Sequence, residues 1–293
     1  MTRYIAAYDT EMPGSCLAAC RRIREVHEVY SFPATFFIVG QLLENEGVEF
    51  QILLGENASF EIASHTYSHQ LLRDHPLGAP GMTGAQREGE IRIGKEIIEQ
   101  TFGRACLGMR VPWGFADGLR GDPEFVNQVA EVGFGYVSSL LWGPDFTLPA
   151  LLEPPFPYTS EGRPDLWEMP AHGWHENVLK GHSLDTGRVP RRLVAWPMPF
   201  PEAVPLRGRP IATPEEEFAI NRVFIDRAVE QKLPYVSLIW HPWSLGRFDP
   251  GMKMLELTFS YVRELGLEPT TYADEWRRLA GEIAALKIHL DFG

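Results

Sequence analysis

Short runs of β-branched and aromatic residues alternate with longer helical patterns along most of the chain, and this alternation limits the possible folds more than any other feature. It is the signature of βα units around a parallel sheet, an α/β fold. The strand candidates are Tyr4 to Tyr8, Ala34 to Val39, Glu61 to Ala63, Cys106 to Met109, Phe134 to Ser138, Leu166 to Met169, Tyr235 to Trp240 and a short run near Leu267 to Pro269. Helical patterns lie between them near 15–29, 83–102, 122–132, 214–232, 251–265 and 272–286. Seven or eight strands with interleaved helices in 293 residues favour a closed (β/α) barrel over an open sheet. The expectation is one domain spanning 1–293.

Within this pattern, Thr83 and Gln86 have the spacing of a capping box, and Ile91, Ile93, Ile97, Ile98 and Phe102 then line one helical face. From about 140 to 213 the periodicity fades. That stretch holds most of the prolines together with Arg188, Arg191, Arg192, Arg207 and Arg209, and reads as a long excursion serving as lid, subunit contact or solvated insertion. His172, His175 and His182 fall inside it and could face a substrate pocket, with structural or surface roles the plainer reading.

Charge narrows the function. Thirty-nine acids against 27 bases give a formal net charge of -12, so the attraction that nucleic acid or anionic lipid requires is missing. Cys16, Cys20 and Cys106 cannot form a complete disulfide framework, which suits a reducing cytoplasm. Cys16 and Cys20, four apart, could hold a soft metal or form a redox pair, but they fall in an amphipathic helical run and read as buried, inert thiols. The apolar stretch at the N-terminus is too short for the core of a signal peptide, and no run approaches the roughly 18 to 20 apolar residues that span a bilayer. The expected setting is cytoplasmic.

Chemistry-bearing residues gather at strand ends, where barrel active sites lie. The first strand ends in Asp9-Thr10-Glu11, and side chains two apart in an extended chain project to one face. After the third strand come His65 and His69, four apart. One helical turn would put both imidazoles on one face, beside each other around a divalent metal. Two histidines and one carboxylate leave positions open for water and substrate. Arg110 follows the next apolar run and could clamp a carboxylate, while His241 ends Leu238-Ile239-Trp240 and suits a general acid. Each feature has a plainer reading, a turn cap or a core histidine, but four strand ends carry the parts of one mechanism.

In this order the clusters resemble the polysaccharide deacetylase family, carbohydrate esterase family 4. The resemblance runs from Asp9 to about Trp276 through Asp9-Thr10-Glu11, Ala34 to Gly40, His65-Thr66-Tyr67-Ser68-His69, Arg110-Val111-Pro112-Trp113-Gly114 and Leu238 to His241. It implies a distorted, often seven-stranded (β/α) barrel and one divalent metal, commonly zinc, with cobalt or nickel in some members. It further implies Glu11, His65 and His69 as metal ligands, Asp9 as the base, Arg110 orienting Asp9, and His241 protonating the leaving group. Pro112, Trp113 and Trp142 would line the substrate site. The chain departs from the family in having Asp-x-Glu, so Asp9 and Glu11 could exchange roles. It also lacks a clear fourth motif, leaving His241 without an assigned partner and Asp145 as the candidate.

The Asp-x-acid spacing and the His241-Pro242-Trp243-Ser244-Leu245-Gly246 ending are closer to the branch with cyclic-imide hydrolases and allantoinase-like enzymes, some of them oligomers. Three functions fit: deacetylation of an N-acetylated sugar or sugar conjugate, ring-opening hydrolysis of a small cyclic imide or ureide, and a catalytically silent barrel that binds a carbohydrate or partner.

Overall fold

The computed structural model describes residues 1–76, 80–182 and 209–291, so Arg188, Arg191, Arg192 and Arg207 of the predicted excursion lie outside the described residues. The strands, in chain order, are β1 (Arg3–Ile5), β2 (Ala7–Thr10), β3 (Ala34–Ile38), β4 (Phe60–Ser64), β5 (Gly108–Phe115), β6 (Tyr136–Leu140), β7 (Phe156–Tyr158), β8 (Arg163–Glu168), β9 (His172–His175), β10 (Tyr235–Ile239) and β11 (Glu268–Thr270). The helices are α1 (Ser15–Tyr30), α2 (Gly40–Phe50), α3 (Gly84–Phe102), α4 (Pro123–Glu131), α5 (Glu176–Leu179), α6 (Pro214–Glu230), α7 (Pro242–Phe248), α8 (Lys253–Glu264) and α9 (Tyr272–Asp291). None of these helices is long and apolar enough to cross a membrane.

The first predicted strand breaks at Ala6 into β1 and β2. β1 pairs in parallel with β10 and β11, whereas β2 pairs with β3. From β2 the parallel order continues through β3, β4, β5, β6 and β8. The chain of β8 then runs on into β9, which pairs with β10. β10 returns to β2 through a parallel bridge between Tyr8 and Trp240, with the Asp9 N–H donating to Trp240 O at 2.8 Å. The circuit is a barrel of seven parallel positions. Its distortion follows from β1, which turns away to hold β11 at the N-terminal end. β7 lies outside the circuit, antiparallel to β8.

Alternation along the strands sorts their side chains. Ile5 and Ala7 point inward with Phe37, Ala63, Tyr136, Trp167, Tyr235 and Tyr272, which pack together as the barrel interior. Tyr4, Ala6 and Tyr8 point outward into the larger core beneath the helices. Asp9, His65 and Arg110 share the inward parity of Ala7, Ala63 and Gly108, so the pleat delivers them to the open end of the barrel. The predicted capping box of α3 is present, with Thr83 N–H donating to Gln86 Oε1 at 3.0 Å. All three cysteines are free and buried, and burial pushes the Cys16 and Cys106 thiols up to about 12, so they stay protonated.

The stretch from 140 to 182 differs from expectation. β8 corresponds to the strand expected at Leu166 to Met169; unexpected are β9, which completes the barrel, β7 outside it, and α5 at the end. His172 is fully buried there, its Nε2 on Glu153 O at 3.0 Å and its Nδ1 accepting from Ser237 N–H at 3.2 Å, a structural histidine as expected.

Candidate metal centre

Asp9 is the last inward-pointing residue of β2, and its Oδ1 accepts from Arg110 Nη1 at 2.7 Å. The guanidinium is wholly enclosed. Its Nε donates to Ser138 Oγ at 3.2 Å, its Nη2 to Tyr272 OH at 2.9 Å, and its plane lies 4.2 Å over the Phe37 ring. Arg110 therefore holds Asp9 by one nitrogen and uses its other donors to fix itself, in place of a two-point clamp. Burial alone would raise the Asp9 carboxyl; Arg110, His65 and His241 outweigh it and hold the group below the usual aspartate range.

Glu11 follows one residue after β2, and His65 one residue after β4. His65 and His69 do not share a helix turn. The loop between them turns through left-handed backbone at Thr66 (φ 62°) and His69 (φ 59°), which brings the imidazoles together, with ring centroids 4.8 Å apart. Two neighbouring helices hold this loop. The first N–H groups of α2, at Gly40 and Gln41, donate to Thr66 O and Tyr67 O at 2.9 and 2.8 Å, and Glu90 of α3 accepts from Ser68 Oγ at 2.9 Å.

The donor set fits a small divalent cation. His65 Nδ1 donates to Arg110 O at 2.9 Å, which fixes the tautomer and leaves Nε2 as a lone pair facing Glu11. His69 Nε2 lies 2.8 Å and His65 Nε2 3.9 Å from Glu11 Oε2, and all three ligand atoms fall within 4.8 Å of one another. Ligands about 2.0–2.1 Å from a tetrahedral zinc stand about 3.3 Å apart, so only small side-chain adjustments are needed. Trp243 Nε1 donates to the other Glu11 oxygen at 2.8 Å and orients the carboxylate. Burial would raise the Glu11 carboxyl, but His69, His241 and His65 prevail and keep it ionised far below the usual range.

Gly94 allows this approach. A Cβ there would lie 2.7 Å from Thr66 C and 2.9 Å from Tyr67 N, against backbone that cannot swing aside. Gly94→Ala is expected to cost about 1–3 kcal/mol in chemical denaturation through overpacking. Because the strain falls on the loop between His65 and His69, dialysed protein should also lose bound metal faster than wild type.

His241 stands opposite the histidine pair, with Nε2 4.0 Å from Glu11 Oε1. Its partner is Glu176, which sequence reasoning missed: Oε1 accepts from His241 Nδ1 at 3.0 Å and from the His241 N–H at 2.9 Å. Asp145 is not the partner. It is exposed on the turn Pro144–Phe146, beside a cavity lined by Arg73, Asp74 and His75. Glu176 directly follows β9, a four-residue strand that the sequence reading did not identify, and a carboxylate at that strand end was the signal available. Burial lowers the His241 pKa, yet Glu11, Glu176 and Asp9 together raise it to about 9 in the metal-free chain.

Trp142 is buried, its Nε1 donating to Trp113 O and its ring 4.7 Å from that of His175. Pro112 is buried and Trp113 half-buried, with a left-handed φ of 67°. His175 donates from Nε2 to Leu141 O at 2.9 Å, and His182 Nδ1 lies 2.8 Å from Ser244 Oγ.

Residues 11–137 match the family model described as polysaccharide deacetylase. No curated protein matches the chain. Among solved structures, a protein from Mycobacterium smegmatis described as a polysaccharide deacetylase aligns with a TM-score of 0.62 at 18% identity, over 98% of this chain and 92% of that one. A second such protein, from Pseudomonas aeruginosa, gives 0.62 at 15% identity over 94% and 89%. Puue allantoinase gives 0.59 at 15% identity over 94% and 88%. The resemblance read from the motifs is therefore shown, and the fold is that of the polysaccharide deacetylase structures. The family match supports a hydrolase of the deacetylase type.

Proposed function

We propose that the protein is a metal-dependent hydrolase that cleaves a C–N amide bond, removing the acetyl group from an N-acetylated sugar or sugar conjugate. The observation that carries this reading is the convergence of Glu11, His65 and His69 between two differently held ionisable groups, Asp9 on Arg110 and His241 on Glu176. Glu11, His65 and His69 would hold the cation, zinc first and cobalt or nickel as alternatives. When bound, it supplies Lewis-acid polarisation of the carbonyl and a water of lowered pKa.

The chain's own residues do the rest. Asp9, ionised and fixed by Arg110, takes a proton from the attacking water; its buried pairing keeps the carboxylate in the geometry that general-base transfer needs. His241, charged in its metal-free surroundings, gives its proton to the leaving nitrogen. Glu176 accepts from Nδ1, so the exchangeable proton sits on Nε2, the nitrogen facing Glu11. The Asp-x-Glu spacing allowed either acid to be the base. The contacts favour Asp9, because Glu11 is engaged by His69 and Trp243.

Two measurements test this. Protein purified without chelators or affinity nickel should carry about one transition-metal ion per chain by plasma mass spectrometry, and the double variant His65→Ala/His69→Ala should carry none. Metal-loaded enzyme should release acetate from at least one of a panel of free, lipid-linked and nucleotide-linked N-acetyl sugars. Absence of metal even after reloading would favour a silent binding barrel.

A second reading is ring-opening hydrolysis of a cyclic imide or ureide. It is supported by Trp243, within the His241-Pro242-Trp243 ending, reaching Glu11, and by the likeness of fold to an allantoinase. Loss of ring absorbance on hydantoin, succinimide or allantoin, with no acetate from the sugar panel, would select it.

A further inference from the structure

Behind His241 lies a buried chain of charges. Glu176 gives one oxygen to His241; the other accepts from Ser244 Oγ at 2.8 Å and lies 2.8 Å from Lys180 Nζ. Lys180 Nζ is in turn 3.2 Å from Glu217 Oε2 on α6. The side chains of Glu176, Lys180 and Glu217 are 1%, 0% and 0% exposed. The ring of Phe248 lies 5.2 Å from the ammonium. Among the described residues, Asp249, just after α7, and His182, which meets Ser244, also face the cluster.

Burying three charges costs more than filling the same volume with apolar groups. The fold does not require them, since α6 already packs through Ile220, Phe224 and Ile225. Their arrangement has a chemical consequence. A buried carboxylate without a cation takes up a proton. Deprived of Lys180, Glu176 could take the Nδ1 proton of the His241 imidazolium, and the neutral ring left behind, protonated at Nε2 alone, would be too weak an acid to give that proton up.

We infer that Lys180, held from the far side by Glu217, is a positioning residue that keeps Glu176 a pure acceptor and so fixes the Nδ1–H form of His241. The inference rests on the hydrolase reading for its purpose, but its physical content is readable without turnover. Lys180 touches no reacting group; it acts through Glu176.

The test uses the metal-free full chain labelled with 15N-histidine, with the His241 ring resonances identified by their loss in His241→Gln. Spectra are taken at neutral pH, below the wild-type ring's raised pKa of about 9. In wild type and Lys180→Arg both ring nitrogens should carry protons; in Lys180→Met and Lys180→Gln the Nδ1 proton should pass to Glu176 and leave Nε2 alone protonated. On a substrate found in the panels, kcat should fall tenfold or more in the charge-removed variants, with KM within twofold and recovery in Lys180→Arg. Lys180→Gln keeps most of the side chain and carries the test if Lys180→Met does not fold. Nδ1 remaining protonated in either folded, charge-removed variant overturns the inference, as does failure of both to fold while Lys180→Arg folds, which would make the role one of stability alone. A wild type inactive on every panel would sink the hydrolase reading and leave the tautomer result standing.

Discussion

Asp9→Asn is expected to lower kcat by about 10²–10⁴-fold with little change in KM and no change in metal content, since general-base transfer contributes about that much. The replacement is nearly isosteric, so it removes the proton acceptor while leaving the volume at the end of β2 filled. The ligand atoms of Glu11, His65 and His69 are untouched, and His65 stays fixed through its bond to Arg110 O. The variant also leaves the enclosed Arg110 guanidinium facing an amide in place of a carboxylate. Thermal melts must therefore accompany the kinetics, so that lost activity is read only below the melting transition. Wild-type kcat in Asp9→Asn would transfer the role of base to Glu11; lost metal with lost activity would show that Asp9 serves the metal site.

The parts of the site that were legible in the sequence are those the pleat dictates. Asp9, His65 and Arg110 each extend an apolar strand run, and period-2 alternation gives them the inward face at the open end of the barrel. Where local chemistry departs from periodicity, the sequence misleads. The four-residue spacing of His65 and His69 looks like a helix turn, but the pair is formed by left-handed backbone at Thr66 and His69, neither of them glycine. The strand read as Cys106 to Met109 is shifted: β5 runs from Gly108 to Phe115, so Arg110 lies within it and not past its end. The break at Ala6 leaves the apolar alternation intact, so no pattern marks it. Glu176 was hidden because the pattern marks only the strand at Leu166 to Met169 there; β9, four residues long and starting two residues after Pro170, carries no clear alternation, so the segment behind it looked like an excursion when it completes the barrel.

Arg110→Met should be the most destabilising single change in the site. The pair it breaks is fully enclosed, Arg110 0% and Asp9 3% exposed, and removing one partner of such a pair costs about 3–5 kcal/mol. For a chain of this size that corresponds to a fall in Tm on the order of 10 °C. The loss should depend on pH in a defined direction. In wild type the Asp9 carboxyl titrates below its ordinary value, so the pair's contribution is present above the unfolded-state pKa of about 3.9 and is lost as pH falls through the folded value. Without Arg110, burial of the carboxylate is opposed only by His65 and His241, and the folded-state value moves upward. The variant then loses stability as pH rises through that window, because the folded chain must ionise a buried acid that the unfolded chain ionises freely. Its deficit relative to wild type should therefore be larger at pH 8 than at pH 5 in urea denaturation. An equal deficit at both would show that Arg110 stabilises the barrel through its stacking on Phe37 and its bonds to Ser138 and Tyr272, with its charge on Asp9 contributing little.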